Sequence, residues 1–271
     1  MSVSKGLYAS KPGSASNGDI YLPTDSFYDF LVWGGGAWKH ILNGLECTPP
    51  INSEFAWVNQ GSATTTTTNG GVFLSTPAAA GTSLHLRVKL APATPYTLTT
   101  MVIPAQVWAN THHGGICFRE SSSGRLITLG IESDSIQTRA QLSVFTWASP
   151  TDSSGARQAF ILTQILLSRS GLWLRIADDG TTYTFSFSAD GQNFVTIYTL
   201  THAAAITAGY WTSAPDQIGF GGNPNNATYD WGMTLLHWDK PNSVVARHYG
   251  FWGLGASQSS THSRNIGIIG R

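Results

Sequence analysis

Leu172-Trp173-Leu174-Arg175-Ile176-Ala177-Asp178-Asp179-Gly180-Thr181-Thr182-Tyr183-Thr184-Phe185-Ser186-Phe187-Ser188-Ala189-Asp190-Gly191-Gln192-Asn193-Phe194 decides how this chain folds. Leu172–Ile176, Thr181–Ser188 and Asn193–Leu200 are three runs of β-branched, aromatic and aliphatic residues. The links between them, Ala177-Asp178-Asp179-Gly180 and Ala189-Asp190-Gly191-Gln192, carry the Asp-Gly pairs that tight hairpins favour. The stretch therefore predicts an antiparallel meander. Working outward, the same grammar recurs in Tyr96–Ile103, Gly115–Arg119, Leu126–Ile131, Gln141–Trp147, Phe160–Leu166, Gln217–Gly221 and Met233–Trp238. Ser83-Leu84-His85-Leu86-Arg87-Val88-Lys89-Leu90 alternates strictly, which places the aliphatic residues on one face and His85, Arg87 and Lys89 on a solvated one. Thr64–Thr68 followed by Asn69-Gly70-Gly71 reads as a strand and turn at the rim. Ala203–Gly209 is the one stretch that suits a short helical turn. So many short strands at this spacing predict an all-β fold, an antiparallel jelly-roll β-sandwich over residues 51–256.

Residues 1–50 read differently. Phe27–Trp33 is an apolar run, Gly34-Gly35-Gly36 reverses it, and Ala37–Ile41 returns, giving a small N-terminal β-hairpin module. Such a unit is too small to be stable without packing on something larger. Pro49-Pro50 then acts as a stiff extended linker. The tail, residues 257–271, is polar and then small and apolar, and is expected to order only against a neighbouring subunit.

Composition narrows the function. Fifteen basic and fifteen acidic residues cancel, and charged side chains make up only 11% of the 271 residues. That lacks the basic field needed for nucleic acid. No run approaches the roughly 20 apolar residues of a membrane span, so no membrane insertion is expected. The opening MSVSKGLYASKPG has no apolar signal-peptide stretch, so synthesis in a reducing cytoplasm is expected. Cys47 and Cys117 are accordingly expected to be buried reduced thiols.

The search for chemistry yields no catalytic constellation. Glu132-Ser133-Asp134 begins an E-x-D-x-x-E carboxylate arrangement, but Gln137 stands where the second Glu would be. Glycoside hydrolysis needs two carboxylates flanking the bond, so both acids are expected to be solvated at a strand end. His112-His113 would point to opposite faces of a strand and reads as a surface or subunit-contact loop, not a metal site. Asp216, Asn223, Asn225 and Asp230 supply oxygen ligands from one region, but their spacing matches no calcium loop; neither metal nor cofactor is expected. Trp173 and Trp238 lie in apolar strands and belong to the core. Trp108, Trp211 and Trp231 sit among Gly, Asn, Ser and Pro, where a loop would expose them. With Asn223, Asn225 and Asp230 they form the candidate glycan-binding set, because sugars need an aromatic face beside amide and carboxylate groups. Burial of these Trp residues at a subunit interface fits equally well.

Gly171–Ile176 with Thr184–Phe194, followed by Ile218-Gly219-Phe220-Gly221, resembles the concanavalin A-like lectin/glucanase (laminin-G-like) jelly rolls, over residues 51–240. Gly18-Asp19-Ile20-Tyr21-Leu22-Pro23-Thr24-Asp25, with Trp33 and Trp38 behind it, is similar to the small β module of tailed-bacteriophage virion proteins. Together these resemblances imply a tail-fibre or head-fibre protein. Residues 1–50 would attach to other virion proteins, and a non-catalytic lectin-like domain would contact host-surface glycan. They further imply a homo-oligomer, by analogy a trimer, located in the virion, assembled in the host cytoplasm and released on lysis. Alternatives are a purely structural decoration protein, a glycan-cleaving hydrolase using Glu132 and Asp134, and a secreted cellular lectin.

Overall fold

The computed structural model describes residues 1–26, 28–42, 44–106, 112–133, 140–153, 159–161 and 171–239. Five short strands come first: β1 (Val3–Gly6), β2 (Ile20–Pro23), β3 (Phe30–Gly34), β4 (Ala37–Leu42) and β5 (Leu45–Cys47). Then follow β6 (Ala56–Val58), β7 (Thr64–Thr68), β8 (Gly71–Thr76), β9 (His85–Leu90), β10 (Tyr96–Gln106), β11 (His113–Arg119) and β12 (Leu126–Ser133). The chain continues through β13 (Ala140–Trp147), β14 (Ala159–Ile161), β15 (Leu172–Asp178), β16 (Thr182–Ser188) and β17 (Val195–Thr201). A six-residue helix α1 (His202–Thr207), capped by the Thr201 hydroxyl, precedes β18 (Gln217–Asn223) and β19 (Trp231–Trp238).

Strands β6 to β19 form an antiparallel jelly-roll β-sandwich. The back sheet runs β17-β16-β15-β10-β19-β8-β7 and the front sheet β14-β13-β12-β11-β18-β9-β6. The Asp-Gly links do what their sequence asks: Gly180 and Gly191 take positive φ of 92° and 74° between paired strands. Asn69 and Gly70, both at positive φ (49° and 85°), turn the polythreonine strand onto β8. Between the sheets lies the main core, with Leu98, Leu172, Leu174 and Ile176 from the back facing Ile116, Phe118, Leu129 and Val144 from the front. Each such side chain contributes about 1.5–3 kcal/mol by leaving water.

The N-terminal segment is more than a hairpin. Gly34–Gly36 does reverse β3 onto β4, with Gly35 and Gly36 at φ 65° and 82°. That pair is the middle of a five-stranded sheet in which β1 lies parallel to β2. Its buried face, including Tyr21, Tyr28, Leu31 and Leu45, packs on Met101, Trp173 and Leu236 of the back sheet. Those three are the outward neighbours of core residues, so the molecule has three layers: N-terminal sheet, back sheet, front sheet. Leu236 is the extra residue where β10 pairs with His237 and then Leu235, and this bulge turns its carbonyl toward the Tyr28 hydroxyl at 2.7 Å. The approach to Pro49-Pro50 is clamped too. Thr48 donates its N–H to His237 Nδ1 (2.8 Å) and accepts at its carbonyl from Trp238 N (2.9 Å).

The wet face expected on β9 does not exist. Leu86 and Val88 point to the outer side of the front sheet, over the space left by Gly221 and Gly219, and join Cys117, Leu126, Phe145 and Trp147 there. The opposite face is covered as well. Arg87 lies over the Trp57 ring and donates to the Asn52 carbonyl, His85 bonds the Asn59 carbonyl, and Lys89 pairs with Glu54. Alternation located the strand, but its charged side faces the back sheet, level with core residue Phe220, and the segments flanking β6 hold those side chains. Cys47 and Cys117 are buried free thiols, and burial first of all pushes both up to about 12.

Candidate functional site

Register brings one row of side chains together on the outer face of the front sheet. His113 stands opposite Glu132 on β12 and opposite Asn223 on β18. Residues on neighbouring strands at one level sit about 4.8 Å apart, so a carboxylate and a carboxamide flank an imidazole. Phe145 and Trp147 on β13 form an aromatic wall with ring centroids 4.7 Å apart. Thr82, Ser153 and Asn225 complete the lining of a cavity of about 320 Å³, at the lower end of the roughly 300–1,000 Å³ usual for small-molecule sites.

The His113 ring does not stand up from the sheet. A Cβ on Gly130 would lie 3.0 Å from its Cε1, so the missing side chain is what lets the imidazole reach sideways. It arrives at Thr128 Oγ1 with Nε2 (2.8 Å) and at Ser143 Oγ with Nδ1 (3.2 Å). Thr128 donates its one hydroxyl proton to the Phe145 carbonyl (3.3 Å) and accepts from Trp147 Nε1 (3.0 Å). Its remaining lone pair must therefore accept from His113, which fixes the proton on Nε2 and makes Ser143 the donor to Nδ1. Burial pushes the His113 pKa down to about 3, so the ring is neutral. Thr128 thus locks both the imidazole and the indole that line the cavity.

Glu132 is 8% exposed, in the cavity wall, and not solvated at a strand end as its sequence neighbours suggested. Asn223 accepts at Oδ1 from Ser83 N (3.0 Å), which leaves its amide NH2 as the donor for a ligand. Asn225 reaches the rim from a left-handed turn at φ 40°, a conformation Asn tolerates better than most residues. The cavity is therefore lined by a carboxyl group, two carboxamides, hydroxyls and an aromatic wall. That mixture matches the hydroxyls and apolar ring face of a sugar.

The other candidates are distributed differently. Trp231 is 1% exposed, in the main core: Cβ atoms on Gly114 and Gly222 would fall within about 2.1 Å of its ring. It lies directly beneath the row carrying His113 and Asn223, so the expectation of an exposed platform is corrected to a buried support. Trp211, also 1% exposed, sits at the far end of the sheet, edge-on to Tyr183. Neighbouring Thr212 and Ser213 donate their N–H groups to Glu120 (2.8 and 2.9 Å), which draws this loop inward. Neither Trp needs a second subunit to be buried. Trp108 and Asp134 lie outside the described residues, as do Trp252 and the tail. Asp230 accepts from Ala78 N (2.8 Å) and ties two loops together. Asp216 holds Ser121 at the opposite end of β18 from Asn223, so the four proposed oxygen ligands do not converge. His112 and His113 are both buried, not in a surface loop. Among the described residues, no group of three or more His, Cys, Asp or Glu is placed to hold a metal, and no helix is long and apolar enough to cross a membrane.

A larger groove of about 750 Å³ lies at the sheet edge, between Glu54, Val88, Leu90 and Gln217. It has no aromatic wall, and Lys89 in its lining is already paired with Glu54.

No protein-family model matches the chain, and no curated protein matches it. Among solved structures, a functionally unknown protein from Saccharomyces cerevisiae is 16% identical, with a TM-score of 0.51 over 69% of this chain and 95% of its own. A GH43 protein from Bacillus licheniformis is 12% identical, with a TM-score of 0.52 over 76% of this chain but only 39% of its own length. At such identities the likeness is one of fold, and it supports the sandwich.

Proposed function

We propose that this chain is a non-catalytic glycan-binding protein of a phage virion, of the tail- or head-fibre type. The observation that carries glycan binding is the cavity lined by Glu132, Asn223, Phe145 and Trp147. It opens on the front sheet, while the N-terminal sheet occupies the far side of the back sheet. Such a layout lets residues 1–50 engage other virion proteins without obstructing the site. Glu132 is the single carboxylate among the described lining residues, and hydrolysis by acid and nucleophile needs two.

Calorimetric titration of the full chain with neutral saccharides tests the binding reading. Wild type is expected to bind, and Trp147→Ala and Asn223→Ala to lose at least tenfold in affinity; absence of binding by wild type refutes the reading. Reducing ends released by wild type but not by Glu132→Ala would instead establish a hydrolase. The virion assignment requires the chain to travel with infectious particles through a density gradient, and its loss on washing overturns that assignment. Light scattering of the purified chain reads the oligomer, expected to be a trimer.

A further inference from the structure

The size of the front-sheet cavity bears on how a glycan enters it. A hexose ring fills roughly 200 Å³ at the packing density of about 0.74 found in protein interiors, and two linked rings about twice that. The cavity of about 320 Å³ therefore holds one ring with space for a little water, and not two. Hydrogen bonds between loops shut one side of it. The Thr82 and Ser153 hydroxyls, both in the lining, meet at 3.0 Å, and Leu84 N donates to the Pro150 carbonyl at 2.8 Å. The segment leaving β13 is thus tied to the segment entering β9, and a glycan chain cannot run on through that side.

A fixed donor meets the ring that does enter. Asn223 is 4% exposed, and the Ser83 N–H, which can only donate, holds its Oδ1 at 3.0 Å. Its amide nitrogen is left in the cavity lining with no partner among the described residues. A donor in so dry a position is satisfied by an acceptor oxygen that the ligand brings. Phe145 and Trp147, with centroids 4.7 Å apart, give an aromatic wall on the scale of one ring.

We infer that the cavity receives a single terminal sugar ring, so that this protein recognises the ends of glycan chains and not their interiors. This rests on the glycan-binding reading and adds its ligand class. An interior ring carries a linkage on each side and needs two exits, whereas a terminal ring needs one. Rings beyond the first stay outside the cavity and add little to affinity.

A length series tests this. Methyl glycosides of glucose, galactose, mannose, rhamnose and N-acetylglucosamine, and the linear oligomers of each up to about six rings, are titrated calorimetrically into the full chain. For at least one sugar the methyl glycoside is expected to bind, with affinity constant to within about threefold along its series and one protein per oligomer at every length. Affinity that climbs about tenfold or more with added rings overturns the inference, as does binding confined to the oligomers. Asn223→Asp keeps the oxygen held by Ser83 and removes the amide donor. It should weaken the shortest and longest ligands by the same factor, about tenfold or more; loss at only one length overturns the inference too. If that variant does not fold by circular dichroism, the wild-type series carries the test alone. If no ligand of any length binds wild type, glycan binding itself falls, a result distinct from binding that grows with length.

Discussion

Replacing Thr128 by valine preserves the shape of the side chain and removes one hydroxyl on which two buried donors depend. Trp147 Nε1 (3.0 Å) and His113 Nε2 (2.8 Å) both end on Thr128 Oγ1. Both rings are nearly excluded from water, so neither N–H recovers a solvent partner. A buried donor left without an acceptor costs about 1–3 kcal/mol. Two would cost about 2–6, and some tilting of the rings points to the lower half, about 3 kcal/mol. For a chain of this size each kcal/mol lowers the melting temperature by about 2–4 °C. Thr128→Val should therefore melt roughly 6–12 °C below wild type. Thr128→Ser is the control: it keeps the acceptor and loses one methyl, worth about 0.8 kcal/mol. Calorimetry or tryptophan fluorescence during heating reads both variants. If valine proves no more destabilising than serine, the hydroxyl does not hold the two rings.

Three further outcomes follow from the same structure. Glu120 is wrapped by Ser122, Ser123, Thr212 and Ser213. Burial alone would raise its pKa, but hydrogen bonds from Ser123, Thr212 and Ser213 outweigh it and hold the carboxyl at about 2, below its ordinary 4.5. A depressed carboxyl contributes stability above its unfolded pKa and loses it as pH falls through the folded value. Stability should thus drop between about pH 4.5 and 2, and Glu120→Gln should flatten that slope in urea titrations across the range. Gly222→Ala places a Cβ 2.1 Å from the Trp231 ring and should cost about 1–3 kcal/mol by overpacking; pairing it with Trp231→Leu should recover part of the loss, as urea unfolding would report. Cys47 and Cys117, buried and pushed up to about 12, should not react with a thiol reagent at pH 8 until the chain is unfolded, when both should titrate.

The fold was legible where local chemistry decides it. Asp-Gly and Asn-Gly pairs fixed the turns, and alternation located β9, although it misjudged which face stays wet. Sequence periodicity reports two faces of a strand but not what covers each, and here the charged side is the one that faces the back sheet. Of the cavity, only part of the lining was legible. Asn223 and Asn225, whose amide chemistry suits a sugar, line the cavity. Polar sequence neighbours suggest exposure for Trp211 and Trp231, yet both are buried. For Trp231 the deciding fact is non-local: Gly114 and Gly222, far away in sequence, leave a slot for its ring. In the sequence, His113 and Glu132 belong to separate stretches. What joins them is the β11–β12 register that places one opposite the other, and no spacing in the sequence encodes it. The three-glycine row of Gly221, Gly115 and Gly130 across adjacent strands is the one trace a sequence reading could have used. It marks a place where side chains are withheld so that something else can approach.

A crystal structure of the full chain soaked with a neutral oligosaccharide decides whether the front-sheet cavity binds glycan. One sugar ring is expected to lie against Trp147, with hydroxyls within hydrogen-bond distance of the Glu132 carboxyl group and the Asn223 amide nitrogen. A sugar seated in the groove beside Glu54 and Leu90, or a site left empty at saturating saccharide, would contradict it.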